Sequence, residues 1–300
     1  MEAIYEYDLV VIGSGPAGQS AAIQACKLGK RVAMVERKRG VGGVSVHLGT
    51  LPSKTFREAV VSLKRGTVQR SLEAIGVDHV QMTMPQLLDR VASVIHEEQQ
   101  LIRSMLVRNG VKIFWGFASF VDANTIMVDS ADGDRTITTA FTLLAAGTRP
   151  VIPPGCPDQT SEESPIILTS DTVGKLREIP RSLVVVGGGV IGVEYASFFA
   201  SLGTKVTLVE RAARPISFMD HETVDELMHE MRTHDMVFRC NENVTSIKLI
   251  EEPTRRVQVE LESGKRVTAD AAIISGGRQG CVEGVHLECA GLVADERGRI

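Results

Sequence analysis

One local pattern, present twice, constrains this chain more than anything else in it. Each copy is a short apolar, β-branched run, a glycine-rich turn, an apolar-periodic helix and a second strand that ends in an acid. The first copy reads Asp8-Leu9-Val10-Val11-Ile12 and then Gly13-Ser14-Gly15-Pro16-Ala17-Gly18. A helix is predicted over 16–28, with Gly29 as its stop, a strand over 31–35 and Glu36 beyond it. The second copy reads Leu183-Val184-Val185-Val186 and then Gly187-Gly188-Gly189-Val190-Ile191-Gly192. Its helix runs to Leu202, Gly203 stops it, and the strand 205–209 leads to Glu210. Strand, helix and strand in series give a parallel pair with a right-handed crossover. The first glycine of each turn permits the tight bend, the second lets a pyrophosphate approach the backbone, and the third lets helix and strand pack closely. The helix N-terminus then faces the phosphates, and the terminal acid takes ribose hydroxyls. Gly13, Gly15, Gly18 and Glu36 are therefore expected at one dinucleotide, and Gly187, Gly189, Gly192 and Glu210 at another. An acid at 210 suits the free 2′-hydroxyl of NAD. Arg211 and Arg214 follow it, positioned to meet a 2′-phosphate or, as is usual for arginine, to lie solvated on the surface, so NAD is the expected ligand and NADP stays open.

Two other kinds of segment lie around these units. Residues 55–109 read as helical, with a capping box at Thr83 and Gln86 and Pro85 in the first turn. The helical stripe there is Leu87, Leu88, Val91, Val94, Ile95, Ile102 and Met105, ended by Gly110. Residues 111–146 read as a β-meander turning at Asp132-Gly133, and 235–275 as further strands turning at Ser263-Gly264. Residues 149–155 read as a linker. The expectation is an α/β fold with two Rossmann-like domains, each a parallel sheet plus a β-meander. The first spans 1–150 with the helical segment 55–109 inserted, the second 151–275, and 276–300 begins a return to the first.

Composition removes several classes. A net charge of −4 gives no basic footprint for nucleic acid. No apolar run reaches the ~18 residues of a membrane span. The N-terminus reads straight into a strand with no signal-peptide pattern. The five cysteines, at 26, 156, 240, 281 and 289, are scattered without a CxxC, so free thiols in a reducing cytoplasm are expected and no metal centre is. His229 and His234 superficially look like metal ligands, but their spacing puts them on different helix faces, and both are expected in solvent.

A third segment carries a family resemblance: Gly42-Gly43-Val44-Ser45-Val46-His47-Leu48-Gly49-Thr50-Leu51-Pro52-Ser53-Lys54. It resembles the redox-active segment of the lipoamide dehydrogenase and glutathione reductase family of flavoproteins. That family has cysteines where Ser45 and Thr50 stand, and a hydroxyl cannot cycle between thiolate and disulfide. A threonine at the second position before an intact Pro-Ser-Lys is similar to the soluble pyridine nucleotide transhydrogenases, as is the following 55–60 stretch. Those often keep the first cysteine; Ser45 departs from them. Ala145-Ala146-Gly147-Thr148-Arg149-Pro150 resembles the segment that leaves the family's FAD domain, and Ile274-Ser275-Gly276-Gly277-Arg278 the segment that returns to it. Gln279-Gly280-Cys281 replaces the family's usual Pro-Asn or Gly-Asn pair.

The resemblance implies FAD in the first unit, at Gly13, Gly15, Gly18, Glu36, Gly42, Gly43, Ser45, Thr50, Lys54, Ala118 and Gly147. It implies NAD(P) in the second, at Gly187, Gly189, Gly192, Glu194, Glu210, Arg211, Val244 and Gly277. Ala118 and Val244 would act through their backbones. Lys54 would lie near flavin N5, paired with Glu194, where a cation favours the anionic reduced flavin. His47 is either structural or faces the flavin. The implied reaction passes hydride from NADPH to the flavin and on to NAD⁺, with one nicotinamide site used twice. The family continues past a segment like 298–300 with a Gly-Asp motif for FAD and a dimerisation domain. The chain is thus expected to be a truncated piece of a longer parent that is a homodimer or larger. The rivals are a dihydrolipoamide dehydrogenase-like reductase, against which Ser45 and Thr50 argue, and an inactive nucleotide-binding fragment.

Overall fold

The computed structural model describes residues 5–64, 83–159, 162–163 and 165–300. The remainder of the predicted 55–109 helical segment, 65–82, lies outside the described residues. The chain divides into two compact units, Met1–Pro52 with Ser93–Arg149 and Arg278–Ile300, and Ser53–Ala92 with Pro150–Gly277.

In the first unit, β1 (Tyr7–Ile12) and β2 (Val32–Glu36) flank helix α1 (Pro16–Lys27) in sequence and pair in parallel. The six-stranded sheet runs β3-β2-β1-β6-β5-β4, with β3 at Lys112–Trp115, β4 at Phe117–Asp122, β5 at Thr125–Asp129 and β6 at Arg135–Leu144. Strand alternation separates two cores. Val10, Ile12, Ala33 and Val35 pack with the meander residues Ala118, Phe120, Ile126, Val128 and Ile137. Val11, Val32 and Met34 turn the other way, onto Ala22, Val41, Val46, Ile102 and Leu106. Sheets covered on both faces read as continuous apolar runs, which is why these strands stand out in the sequence.

The meander is β4-β5-β6 alone. Strand β3, read as its first part, instead pairs in parallel with β2. Gly110, in the left-handed region, turns the chain from helix α4 (Met84–Arg108) into that edge position. On α4 the capping box forms as expected, Thr83 N–H donating to Gln86 Oε1 at 2.9 Å. Met105, however, is 39% exposed, and Leu106 is the fully buried residue. One residue is about 100° around a helix, and the stripe Val91, Ile95, Ile102, Leu106 keeps to the face that Met105 leaves. Helix α2 spans Gly43–His47, and α3 spans Thr50–Lys64.

The second unit has an all-parallel sheet, β11-β10-β9-β15-β8. Its strands are Val237–Cys240, Lys205–Glu210, Ser182–Val186, Ala271–Ile274 and Ile167–Thr169. The last, β8, is too short for periodicity to reveal. An antiparallel meander, β12 (Val244–Ile250), β13 (Arg256–Leu261) and β14 (Arg266–Ala269), turns at Ser263-Gly264 as expected. Ile247, Val257, Val259 and Leu261 pack on Val184, Val209, Ala272 and Ile274. Helix α5 (Val190–Ser201) buries Ala196, Phe198 and Phe199, and Phe56 packs on both rings at 5.9 and 6.0 Å. The segment read as a linker starts within a short strand, β7 (Thr148–Pro150), which pairs with β16 (Arg278–Gly280).

Asp270 ties two strands of the second unit together. Burial pushes its carboxyl up, but the Ser182 hydroxyl and N–H and the Arg256 guanidinium outweigh this and hold it below the usual range. A carboxylate depressed in the folded state stabilises above its unfolded value, near 3.9, and that stability is lost as pH falls through the folded value. Thermal stability is therefore expected to fall below about pH 4, and Asp270→Asn to flatten that dependence in pH-resolved melts.

Candidate functional site

The first glycine turn assigns each glycine a different job. Gly13 has φ +105°, and a Cβ there would lie 2.2 Å from the Ala145 carbonyl oxygen. A Cβ on Gly18 would lie 2.0 Å from the Gly13 carbonyl oxygen. These two are fixed by the protein's own packing. Gly15 is different: nothing stands within 4 Å of its Cβ position. It is the N-cap of α1, no side chain caps the helix, and the first turn holds no acid. With no side-chain cap among the described residues, the first-turn N–H groups and the positive end of the helix dipole can receive an outside anion at the open Gly15 position.

Gly42 and Gly43 pack directly on this turn. Both have positive φ, +117° and +60°, and a Cβ on Gly43 would lie 2.8 Å from the Gly15 Cα. Ser14 joins the pieces. It is fully buried, its N–H and O–H donate to Glu36 Oε2 at 3.0 and 2.5 Å, and its Oγ accepts the Gly42 N–H at 3.1 Å. Sequence reasoning missed Ser14, which is an unspecified position within the glycine motif. Glu36 Oε1 accepts the Lys38 N–H at 2.9 Å. A carboxylate offers about four acceptor positions, so three are used and one on Oε1 stays open. Glu36→Ala would strand both buried Ser14 donors and should cost ~1–3 kcal/mol in denaturant unfolding.

The other first-unit residues singled out by the sequence lie on separate elements. Ala118 is buried on β4 opposite Val128. Gly147, at φ +74°, accepts the Cys281 N–H at 3.0 Å. Ser45 lies in α2, and Thr50 opens α3. His47 Nε2 lies 3.2 and 3.1 Å from the Gly40 and Val41 carbonyls, which only accept, so that nitrogen carries the hydrogen. Nδ1 then accepts from Gln99 at 3.2 Å. Both ring nitrogens are engaged within the protein, the structural alternative for this residue.

The second turn repeats the division of labour. Gly187 has φ +102° and would meet the Ser275 carbonyl at 2.6 Å, and Gly192 would meet the Gly187 carbonyl at 2.0 Å. Gly189 caps α5, has nothing within 4 Å, and no side chain caps the helix. Glu210 accepts the Gly188 N–H at 2.5 Å and the Ala212 N–H at 2.7 Å, one on each oxygen. Two acceptor positions remain. Arg214 is held in a fork by Asp225, at 2.8 and 3.1 Å. Arg211 is exposed and has no ion-pair partner among the described residues. Ile216, a β-branched residue at φ +45°, donates its N–H to the Gly188 carbonyl at 2.8 Å and pins the following loop to the turn. No sequence signal marks Ile216. Val244 begins β12 opposite Leu261, and Gly277, at φ +111°, accepts the Val151 N–H at 3.0 Å.

Lys54 and Glu194 form an ion pair within the second unit. Glu194 projects from α5 with its side chain 20% exposed, and Lys54 is 59% exposed. Phe56, two residues on and stacked against Phe198 and Phe199, anchors the lysine's segment to the helix that carries its partner. The five cysteines are all unpaired. Burial pushes the thiols of Cys26, Cys156, Cys240 and Cys281 up, away from the reactive thiolate. His229 is exposed near the end of its helix, and His234 lies beyond the helix, exposed, with Glu230 at 3.8 Å. Among the described residues no helix is long and apolar enough to cross a membrane.

The family profile described as pyridine nucleotide-disulphide oxidoreductase matches residues 7–300, and the chain belongs to that family. The chain is 45% identical over 298 residues to the soluble pyridine nucleotide transhydrogenase of Mycobacterium tuberculosis, covering 98% of this chain and 62% of the relative. To that of Chromohalobacter salexigens it is 39% identical over 299 residues, covering 99% and 63%. The HOCl-induced flavoprotein disulfide reductase RclA from Escherichia coli, solved as a Cu(II) complex, superposes with a TM-score of 0.83 at 29% identity, covering 98% of this chain and 62% of RclA. The chain thus spans a little over three fifths of the length of these relatives.

Proposed function

We propose that this chain is the nucleotide-binding part of a flavoprotein that moves hydride between NADPH and NAD⁺, giving NADP⁺ and NADH without a redox disulfide. The observation that carries the reading is the pair of glycine turns, each with an uncapped helix N-terminus and an open second glycine. FAD fits the first turn: Gly15 leaves room, no side chain caps the first turn of α1, and Glu36 keeps one acceptor for a ribose hydroxyl. NAD(P) fits the second, where Glu210 keeps two. A flavin held there supplies the two-electron centre between the nicotinamide substrates. Lys54, anchored by Glu194, is the cation this reading sets beside the flavin, and Thr50 and Ser45 stand where a thiol pair would otherwise compete for the electrons. Gly42, Gly43, Gly147 and the Ala118 backbone complete the FAD contacts, and Val244 and Gly277 those of the nicotinamide nucleotide. The setting is the reducing cytoplasm, and the longer protein is a homodimer or larger.

Steady-state transhydrogenation tests this, with NADPH as donor and an NAD⁺ analogue as acceptor. Turnover is expected there and none with dihydrolipoamide; the reverse would sink the reading. Arg211 is the residue assigned to the NADP 2′-phosphate, because Arg214 is already committed to Asp225. Arg211→Ala should raise KM for NADPH about tenfold and leave that for NADH unchanged, the loss of one charge-assisted contact. An equal change for both nucleotides would remove Arg211 from that role.

A further inference from the structure

We propose that His286, Glu288 and Cys289 form a site for one divalent cation of the zinc class, independent of the nucleotide reading. An imidazole nitrogen, a carboxylate oxygen and a thiol sulfur from these residues all lie within 4.8 Å of one another. Glu288 and Cys289 lie within a short 3₁₀ turn, Leu287–Ala290, that His286 leads into from left-handed backbone, the His286 carbonyl accepting the Cys289 N–H at 3.1 Å. Val285 and Leu287 are buried in the core of the first unit, at 2% and 6% exposure. Those two anchors fix the turn and leave 286, 288 and 289 facing out, all three exposed. None of the three side chains has another hydrogen-bond or ion-pair partner among the described residues, so a cation would not have to compete for any of them.

The donor set selects the metal. Mixed nitrogen, oxygen and sulfur ligands suit tetrahedral zinc, whereas calcium and magnesium want oxygen alone. Zinc bond lengths put tetrahedral donors roughly 3.3–3.6 Å apart, so the exposed side chains close by about 1 Å on binding. Coordination forms a metal–sulfur bond from the Cys289 lone pair and releases the thiol proton to solvent, with no change of oxidation state. Three protein ligands leave the fourth position to water or a small ligand. A cavity of about 410 Å³ opens beside them, lined by His286 and Glu288 and by the apolar Val282, Leu292 and Val293. In the sequence these residues are only a lone histidine, acid and cysteine, with no metal-type spacing to mark them.

Cobalt(II) titration of the metal-free chain tests the site. One equivalent is expected to give a thiolate-to-cobalt charge-transfer band, and Zn²⁺ to abolish it. Cys289→Ser should remove the band, and His286→Ala or Glu288→Gln should weaken binding tenfold or more, with unchanged far-UV circular dichroism. Cys281→Ser should bind as the parent does. No saturable band, or an undiminished band in Cys289→Ser, would overturn the proposal.

Discussion

Gly15→Ala is expected to leave the fold intact and to weaken FAD binding about a hundredfold, while Gly18→Ala, three residues away, is expected to damage the fold itself. The difference follows from what each Cβ would meet. At Gly15 it meets nothing within 4 Å, and the backbone, φ −67° and ψ 177°, is open to alanine. Losing glycine at an N-cap costs a few tenths to about 1 kcal/mol, and restricting the unfolded chain returns ~0.4–1 kcal/mol. The two nearly cancel. The methyl then occupies the space assigned to the pyrophosphate, and blocking one or two charge-assisted amide contacts gives roughly 2.8 kcal/mol, the hundredfold. At Gly18 the Cβ would lie 2.0 Å from a backbone oxygen that belongs to the tight turn itself. The helix must move off the strand, an overpacking cost of ~1–3 kcal/mol or more, read as a lower melting temperature without any ligand. Calorimetry on the apo chain and FAD titration by fluorescence separate the two effects. Equal FAD affinity in Gly15→Ala and the parent would mean that no phosphate sits at this helix end.

Lys54→Met is expected to slow reduction of the bound flavin by NADPH about 10²–10³-fold, the usual loss when one preorganised charge is removed from a reacting centre. Stability should change little, because the lysine is 59% exposed and pairs of that kind contribute ~0–1 kcal/mol. Glu194→Gln should have a smaller effect, about tenfold, since the cation stays while its orientation is released. Anaerobic stopped-flow absorbance gives these rates, and FAD affinity measured in parallel shows whether binding is spared. A Lys54→Met rate within a few-fold of the parent would leave the ion pair a surface feature and nothing more.

What could be read from the sequence is what depends on local pattern. The two strand-turn-helix-strand units appear within a residue or two of their expected bounds. Their strands are buried on both faces, and glycine is forced at Gly13, Gly18, Gly187 and Gly192 by contacts a few residues away or with the adjacent strand. The Thr83–Gln86 capping box was legible for the same reason. Partner choice was not. Nothing in Lys112–Trp115 says that it pairs with β2 instead of the meander, and Ile167–Thr169 is too short to show a period. Met105 and Leu106 are both apolar, and only the packed face distinguishes them. The site shows the same limit. The glycines and terminal acids announce themselves, but Ser14, Ile216 and the Arg214–Asp225 fork depend on tertiary contacts that a linear motif does not encode.

The chemistry proposed for this protein is hydride transfer between nicotinamide nucleotides without a thiol. Its most direct test is an anaerobic NADPH titration of the chain reconstituted with FAD, followed by addition of NAD⁺, with the flavin absorbance recorded throughout. The yellow is expected to bleach with no thiolate charge-transfer band and to return when NAD⁺ is added. A charge-transfer band on reduction, or a bleached flavin that NAD⁺ fails to reoxidise, would contradict it.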